Sequence, residues 1–383
     1  MDKQYLHTLE EYFLSVKNKG YLEQYLINPK LSRWDFIIFF VFFVLITLLR
    51  LVISGVQKEV IRRNSILYGL SRNSILDRVN RKYDICKSGS VYKWKENFWF
   101  ALWHSFSFTY NLILLFVMSG YLNNKNGWIK MCLKERTGKW FFLVTDEEYK
   151  ENKRGWPFMY INNYVYYFYI LQISYWFSCL FYLNYEIRRK DYYVFVLHHL
   201  STIILLTYSH VLNFWRVGLL ILFVHDIVDI VLYLSKLLNY TNLKNRIFLT
   251  FFYILFVLYY FFFRIFLYFY YIVLPLSNTK IIRSYTDGFI SSHKDVPGGL
   301  VLLIFLWTLM AMHVYWFFLI LKMSRLFIIK TMKNEKITDI RSDNEDDSTS
   351  TMESIKKEVS FFDYYINNCF DKINNTLYKI NYG

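Results

Sequence analysis

The stretch RRKDYYVFVLHHLSTIILLTYSHVLNFWRVGLLILFVHDIVDIVLYLSKLLNY, residues 188–240, decides how this chain folds. Two apolar runs, 193–212 and 217–235, are each long enough to cross ~30 Å of hydrocarbon as a helix, and only residues 213–216 join them. So short a turn makes them antiparallel neighbours. An ionisable side chain inside such a run costs at least ~2.5 kcal/mol on insertion, so it faces a cavity or another polar group. The first run carries His198, His199 and Thr202, and the second carries His225, Asp226 and Asp229. Residues three and four apart share a helix face, which sets His225, Asp226 and Asp229 along one stripe with the carboxylates pointing the same way. His198 lies seven residues from Asp191, and Asp229 seven from Lys236, so both are expected roughly 10 Å inside the same membrane face.

Outward from this pair the chain keeps the same character. Its 383 residues are 55% hydrophobic and 22% aromatic with 13 Gly and 4 Pro, too apolar for a soluble domain of this length. Seven runs of spanning length occur, at 34–54, 97–119, 164–183, 193–212, 217–235, 247–275 and 299–321, the sixth being tilted or broken. The expected fold is therefore an all-α multi-pass membrane protein with about seven transmembrane helices. Cys86, Cys132, Cys179 and Cys369 show no metal or disulfide spacing.

Charge sets the expected orientation. The net charge is +15, and residues 54–96 carry ten bases against four acids, while Arg188, Arg189, Lys190, Lys236, Lys244, Arg246, Lys322 and Arg325 mark further basic loops. These alternate correctly if residues 1–33 are lumenal, 34–54 form a first anchor, 55–89 a basic cytosolic loop, and 331–383 an acidic, disordered cytosolic tail. The loop at 120–163, with eight bases against five acids, fits this arrangement least well. An amphipathic segment near residues 7–25 precedes the first span.

Three chemistries could use the polar cluster. Imidazole and carboxylate suit a metal, but adjacent histidines project about 100° apart and do not readily share one ion, so no metal is expected. A proton relay is the second. The third is covalent acyl transfer, in which an imidazole oriented by a carboxylate attacks a thioester and the acyl group passes to an amine. A plain structural tie between two helices remains the fourth reading.

The ordered pattern RxKD, HHxxT, NFxRVG, HDxxD and K with NY across 188–240 resembles the Lag1 motif of ceramide synthases, inside the larger TLC domain, here about 90–330. The resemblance implies a barrel of six helices around a lipid cavity, preceded by one further span, in the endoplasmic reticulum membrane with the C-terminus cytosolic. It implies N-acylation of a sphinganine-type base by acyl-CoA, with no cofactor beyond that co-substrate. By position His198 resembles the histidine that takes the acyl group and Asp229 its carboxylate partner, while His199, His225 and Asp226 orient the site or move protons. Arg188, Arg189 and Lys190 are expected to receive CoA phosphates, and Thr202, Asn213 and Arg216 to contribute to substrate binding. Chain-length discrimination in the family is associated with the loop before the last span, about 273–298. The implied partners are acyl-CoA, a long-chain sphingoid base and membrane lipids; a homodimer is compatible with the pattern. No homeobox-like insertion follows the first span, so nucleic acid is not an expected partner. Tyr192, Tyr193 and Val194 depart from the family's usual FWE without touching the reacting groups. A fatty-acid elongase would need HxxHH, and Phe195 stands where its first histidine belongs. A nonenzymatic TLC-like protein is the alternative of a different class.

Overall fold

The computed structural model describes residues 30–55, 74–87, 89–118, 141–142, 156, 159–183, 186, 191–242, 246–285, 292–293, 295–296 and 298–332. Arg188, Arg189 and Lys190, the N-terminal amphipathic segment and the acidic tail lie outside them. Among the described residues the regular structure is helical, apart from isolated bridge positions such as the antiparallel pair Cys86 and Thr241. In a bilayer each backbone N–H and C=O must find its partner within the segment, and a helix does this locally.

The helices are α1 (Trp34–Ile53), α2 (Ile75–Tyr83), α3 (Val91–Met118), α4 (Asn163–Tyr182), α5 (Tyr192–Val211), α6 (Trp215–Tyr240) and α7 (Arg246–Tyr259). α7 runs without a break into a π-helix, Tyr260–Val273, and then α8 (Leu274–Ser277), followed by α9 (Thr279–Tyr285) and α10 (Gly299–Met332). All seven expected runs are therefore helical, and the sixth is continuous rather than broken. Five of these segments are long and apolar enough to cross a membrane: α1, α5, α6, Ile247–Ser277 and Gly299–Leu326. α3 and α4 have the length, at 28 and 20 residues, but Lys95, Glu96, Asn97 and His104 in one, and Gln172 with several tyrosines in the other, lower their hydropathy.

Contacts divide the described residues into two units, the larger running to Ile320 in α10 without Asp191, the smaller holding Asp191 with Leu321–Met332. Within the first, side chains link six helices in a closed circuit. Gln172 of α4 donates to Ser107 of α3 at 2.6 Å, and the Trp103 and Tyr175 rings stack at 4.0 Å. Trp176 of α4 meets His198 of α5, and His198 meets Trp316 of α10. Tyr268 and Tyr260 of the π-helix donate to the carbonyls of Leu306 and His313 in α10, at 3.0 and 3.2 Å. α6 packs on the π-helix and on α3, completing the circuit. α1 stands outside it against α4, held by Tyr182 donating to the Thr47 carbonyl at 2.9 Å and by a buried 2.5 Å ion pair of Arg50 with Glu186. Lipid tails are as apolar as these side chains, so close packing and interhelical hydrogen bonds hold such contacts together.

Two backbone details place the site. Asn213 turns the chain between α5 and α6 with a φ of 62°, and its amide donates to the Met159 carbonyl at 2.8 Å. Asn is one of the few non-glycine residues that tolerates this left-handed conformation. Gly218 lets Tyr169 reach the Trp215 carbonyl at 2.9 Å, because a Cβ at 218 would sit 1.9 Å from the tyrosine oxygen.

Candidate active site

α5 and α6 carry their polar residues to one level, as the spacing predicts, and His198, Thr202, His225 and Asp229 all line a single cavity of ≈ 100 Å³. The rest of its wall is mostly aliphatic, from Leu205, Leu206, Ile221, Leu222, Leu302 and Leu306 among others. Leu276, Ile282, His293 and Val296, from the segment that precedes α10, also belong to the lining. The site is thus a polar patch on an otherwise oily pocket.

The histidines have separate tasks. His199 turns its Nδ1 to the Phe195 carbonyl at 2.7 Å and is absent from the cavity wall. A carbonyl can only accept, so that nitrogen carries the hydrogen. His198 instead faces the cavity, its ring held edge-on between Trp176 at 5.8 Å and Trp316 at 5.2 Å between centroids, and its Nδ1 is buried without a hydrogen-bond partner among the described residues. Thr202 donates to the His198 carbonyl at 2.8 Å. His225 donates from Nδ1 to Ile221 O at 2.7 Å, which leaves its Nε2 to meet His313 Nε2 at 2.7 Å. In the neutral pair His313 is therefore the donor across that contact.

The carboxylates do not form the expected pair with His198. Asp229 gives Oδ2 to Arg264 of the π-helix at 2.6 Å and lies 3.9 Å from His104 Nδ1. Asp226 lies behind the cavity wall, accepting from Ser107 at 2.6 Å and bonded to His104 Nδ1 at 2.8 Å. The reason is geometric. Three residues on a helix fall short of a full turn, so Asp226 leans toward α3 while Asp229 leans toward the π-helix, and His225 points to α10. One stripe in the sequence becomes three directions in the fold.

Asn213 and Arg216 are also placed differently from expectation: both are buried at the α5–α6 turn, outside the cavity wall, where Asn213 shapes the turn and Arg216 lies over the Trp215 ring. Reading the sequence missed His104, Ser107, Gln172, Arg264 and His313. The signal was available for three of them, since His104, Arg264 and His313 are ionisable residues inside apolar runs and meet the same criterion that singled out α5 and α6. Ser107 and Gln172 carry no such mark.

The π-helix explains why Arg264 arrives here. Its wider turn brings Tyr260, Arg264, Tyr268 and Ile272, every fourth residue, to the buried side. Local π-helix is uncommon and recurs at functional sites.

A family model for the TLC domain (TRAM, LAG1 and CLN8) matches residues 93–322, and the chain belongs to this family. It is an all-α, multi-pass membrane protein. Ceramide synthase 3 of Mus musculus is 33% identical over 183 residues, covering 47% of this chain and 43% of that protein. Ceramide synthase 4 of Bos taurus is 35% identical over 195 residues, 50% and 46% of the two chains. Ceramide synthase hyl-1 of Caenorhabditis elegans is 27% identical over 257 residues, 65% and 60%. The chain spans about half the length of the relatives it matches.

Proposed function

We propose that the protein is a ceramide synthase of the endoplasmic reticulum membrane, with its C-terminal tail in the cytosol, which joins a fatty acyl group from acyl-CoA to the amine of a sphingoid base. The observation that carries this reading is a cavity-facing imidazole, His198, in the same wall as the carboxylate of Asp229, with an aliphatic pocket beyond them. The names of the relatives point the same way.

The chemistry follows from these groups. A ring nitrogen of His198 attacks the thioester carbon, the C–S bond breaks, and CoA leaves as thiolate with the acyl group on the imidazole. The sphingoid ammonium gives up a proton, its nitrogen attacks the acyl carbon, and the C–N bond to His198 breaks as the amide forms. Of the two protons the nitrogen loses, one ends on the CoA thiol and one leaves to solvent. Asp229, with Arg264 on its far side, offers the cavity a fixed carboxylate that draws the ammonium to the acyl carbon. The aromatic and aliphatic wall keeps water from competing for the acyl group. Ile282, His293 and Val296, in the segment before α10, also line the pocket and would contact the acyl tail.

Purified protein given acyl-CoA and sphinganine should release free CoA and N-acyl product in equal amounts. Binding of either compound with no product at any ratio would return the chain to the nonenzymatic reading.

A further inference from the structure

The acyl-transfer chemistry leaves one buried imidazole unused. His104, in the middle of α3 and 3% exposed, has its Nδ1 2.8 Å from Asp226 Oδ1 and 3.9 Å from Asp229 Oδ2. It therefore stands between the carboxylate buried on the α3 side and the carboxylate that lines the cavity. Its ring stacks on Tyr233 of α6 at 5.6 Å, and Tyr175 and Trp176 of α4 meet it at a steep angle at 6.1 and 6.4 Å. His104 itself is absent from the cavity wall, so it can act on a substrate only through Asp229.

Two features make this ring more than a tie between helices. A carboxylate can only accept, so Nδ1 carries the hydrogen in the neutral ring, and a proton taken up at Nε2 changes the charge while leaving the bond to Asp226 in place. The second feature is the charge count. Among the described residues the fixed charges that His104 faces are Asp226 and Asp229 of α6 and Arg264 of the π-helix, which pairs with Asp229 at 2.6 Å. Two carboxylates against one guanidinium leave one negative charge when His104 is neutral, and none when it is protonated. Buried charge that lacks a partner is costly, so the neutral-ring state favours one added cation.

We infer that His104 and the sphingoid ammonium compete for a single cation position beside Asp229, so that the neutral ring opens the amine subsite and the protonated ring closes it. The inference rests on the reading of Asp229 as the carboxylate that draws the ammonium. An ammonium bonded at ~2.8 Å to the Asp229 oxygen nearest His104 would lie within about 7 Å of that ring, where repulsion at an effective dielectric of about 20 is worth at least about tenfold in binding. His104 is thus a positioning residue. It sets how tightly the amine is held, and the loading of His198 from acyl-CoA, which brings no ammonium, does not compete with it.

The test is binding of sphinganine, without acyl-CoA, to the full chain in phosphatidylcholine nanodiscs from about pH 5 to 8, against empty discs. The aliphatic ammonium stays charged across this range, so a change in affinity reports on the protein. Native affinity should fall by about tenfold or more as the pH is lowered, and binding at the acid end should release a proton. His198 and His225 also titrate and couple to His104, so two variants assign the effect. H104Q, which keeps a donor toward Asp226 without the charge, should lose most of the pH dependence. H104K, which keeps the charge, should bind about tenfold more weakly than the native chain at the alkaline end. Acyl loading from acyl-CoA should stay near native in both, as the control for folding. Native binding that is flat with pH would overturn the inference with no variant needed, while leaving the acyl-transfer reading untouched. A native pH profile retained by H104Q would also overturn it, assigning the dependence to His198 or His225. Absence of binding at every pH would remove the amine subsite itself, and the inference with it.

Discussion

The two flanks of α6 hold similar side chains for different ends. On the cavity flank, Asp229 and His225 form part of an accessible wall, with Arg264 and His313 behind them. On the α3 flank, Asp226 is buried with His104, Ser107 and Gln172 and does not line the cavity. On the proposed function, the carboxylate that faces the cavity would serve binding and chemistry, and the one saturated by neighbouring helices would serve assembly. The HDxxD pattern would then join both tasks on one helix.

Substitutions on the two flanks should separate those tasks. Arg264→Gln carries the larger effect, because it leaves Asp229 buried beside the cavity without its counter-ion. A broken buried pair costs about 3–5 kcal/mol. Acyl transfer should fall by about a hundredfold or more, Arg264→Lys should recover part of it, and melting in detergent will show the destabilisation. An Arg264→Gln enzyme with normal turnover would mean that the guanidinium does not set Asp229 for its role. Asp226→Asn should act mainly on stability, removing charge from two hydrogen bonds for about 1–3 kcal/mol, while turnover at a temperature where the protein is folded stays within about tenfold. A loss of turnover as deep as that of Arg264→Gln, with melting unchanged, would erase the distinction between the flanks. Gly218→Ala should displace Tyr169 and lower the melting point by an amount worth about 1–3 kcal/mol, through overpacking at the α5–α6 turn. Exhaustive chelation should have the smallest effect of all, leaving activity intact; restoration by one particular metal after a loss would contradict this.

The fold was legible because length and apolarity decide where a chain crosses a bilayer, and each of the seven runs is helical. That His198 and Asp229 reach one cavity was legible too, since rise per residue and a short turn set their common level. The directions of the side chains were not. Whether Asp229 meets His198 or Arg264 depends on how α6 is rotated against the π-helix, and the π register of Tyr260–Val273 leaves no mark in apolar patterning. Arg264 itself was visible as the one base in its apolar run, but its partner was three-dimensional information. Asn213 and Arg216, motif positions expected to contribute to substrate binding, are built into a buried turn, a placement the motif alone does not reveal.

The central claim is that His198, not His199, is the nucleophile. His198 faces the cavity, whereas His199 spends its Nδ1 on the Phe195 carbonyl. Intact-protein mass spectrometry after incubation with acyl-CoA alone, followed by peptide mapping, tests it most directly. The account predicts one added acyl group, on His198, that is discharged by sphinganine and absent from His198→Ala. An adduct on His199, or amide formation by His198→Ala at a near-native rate, would contradict it.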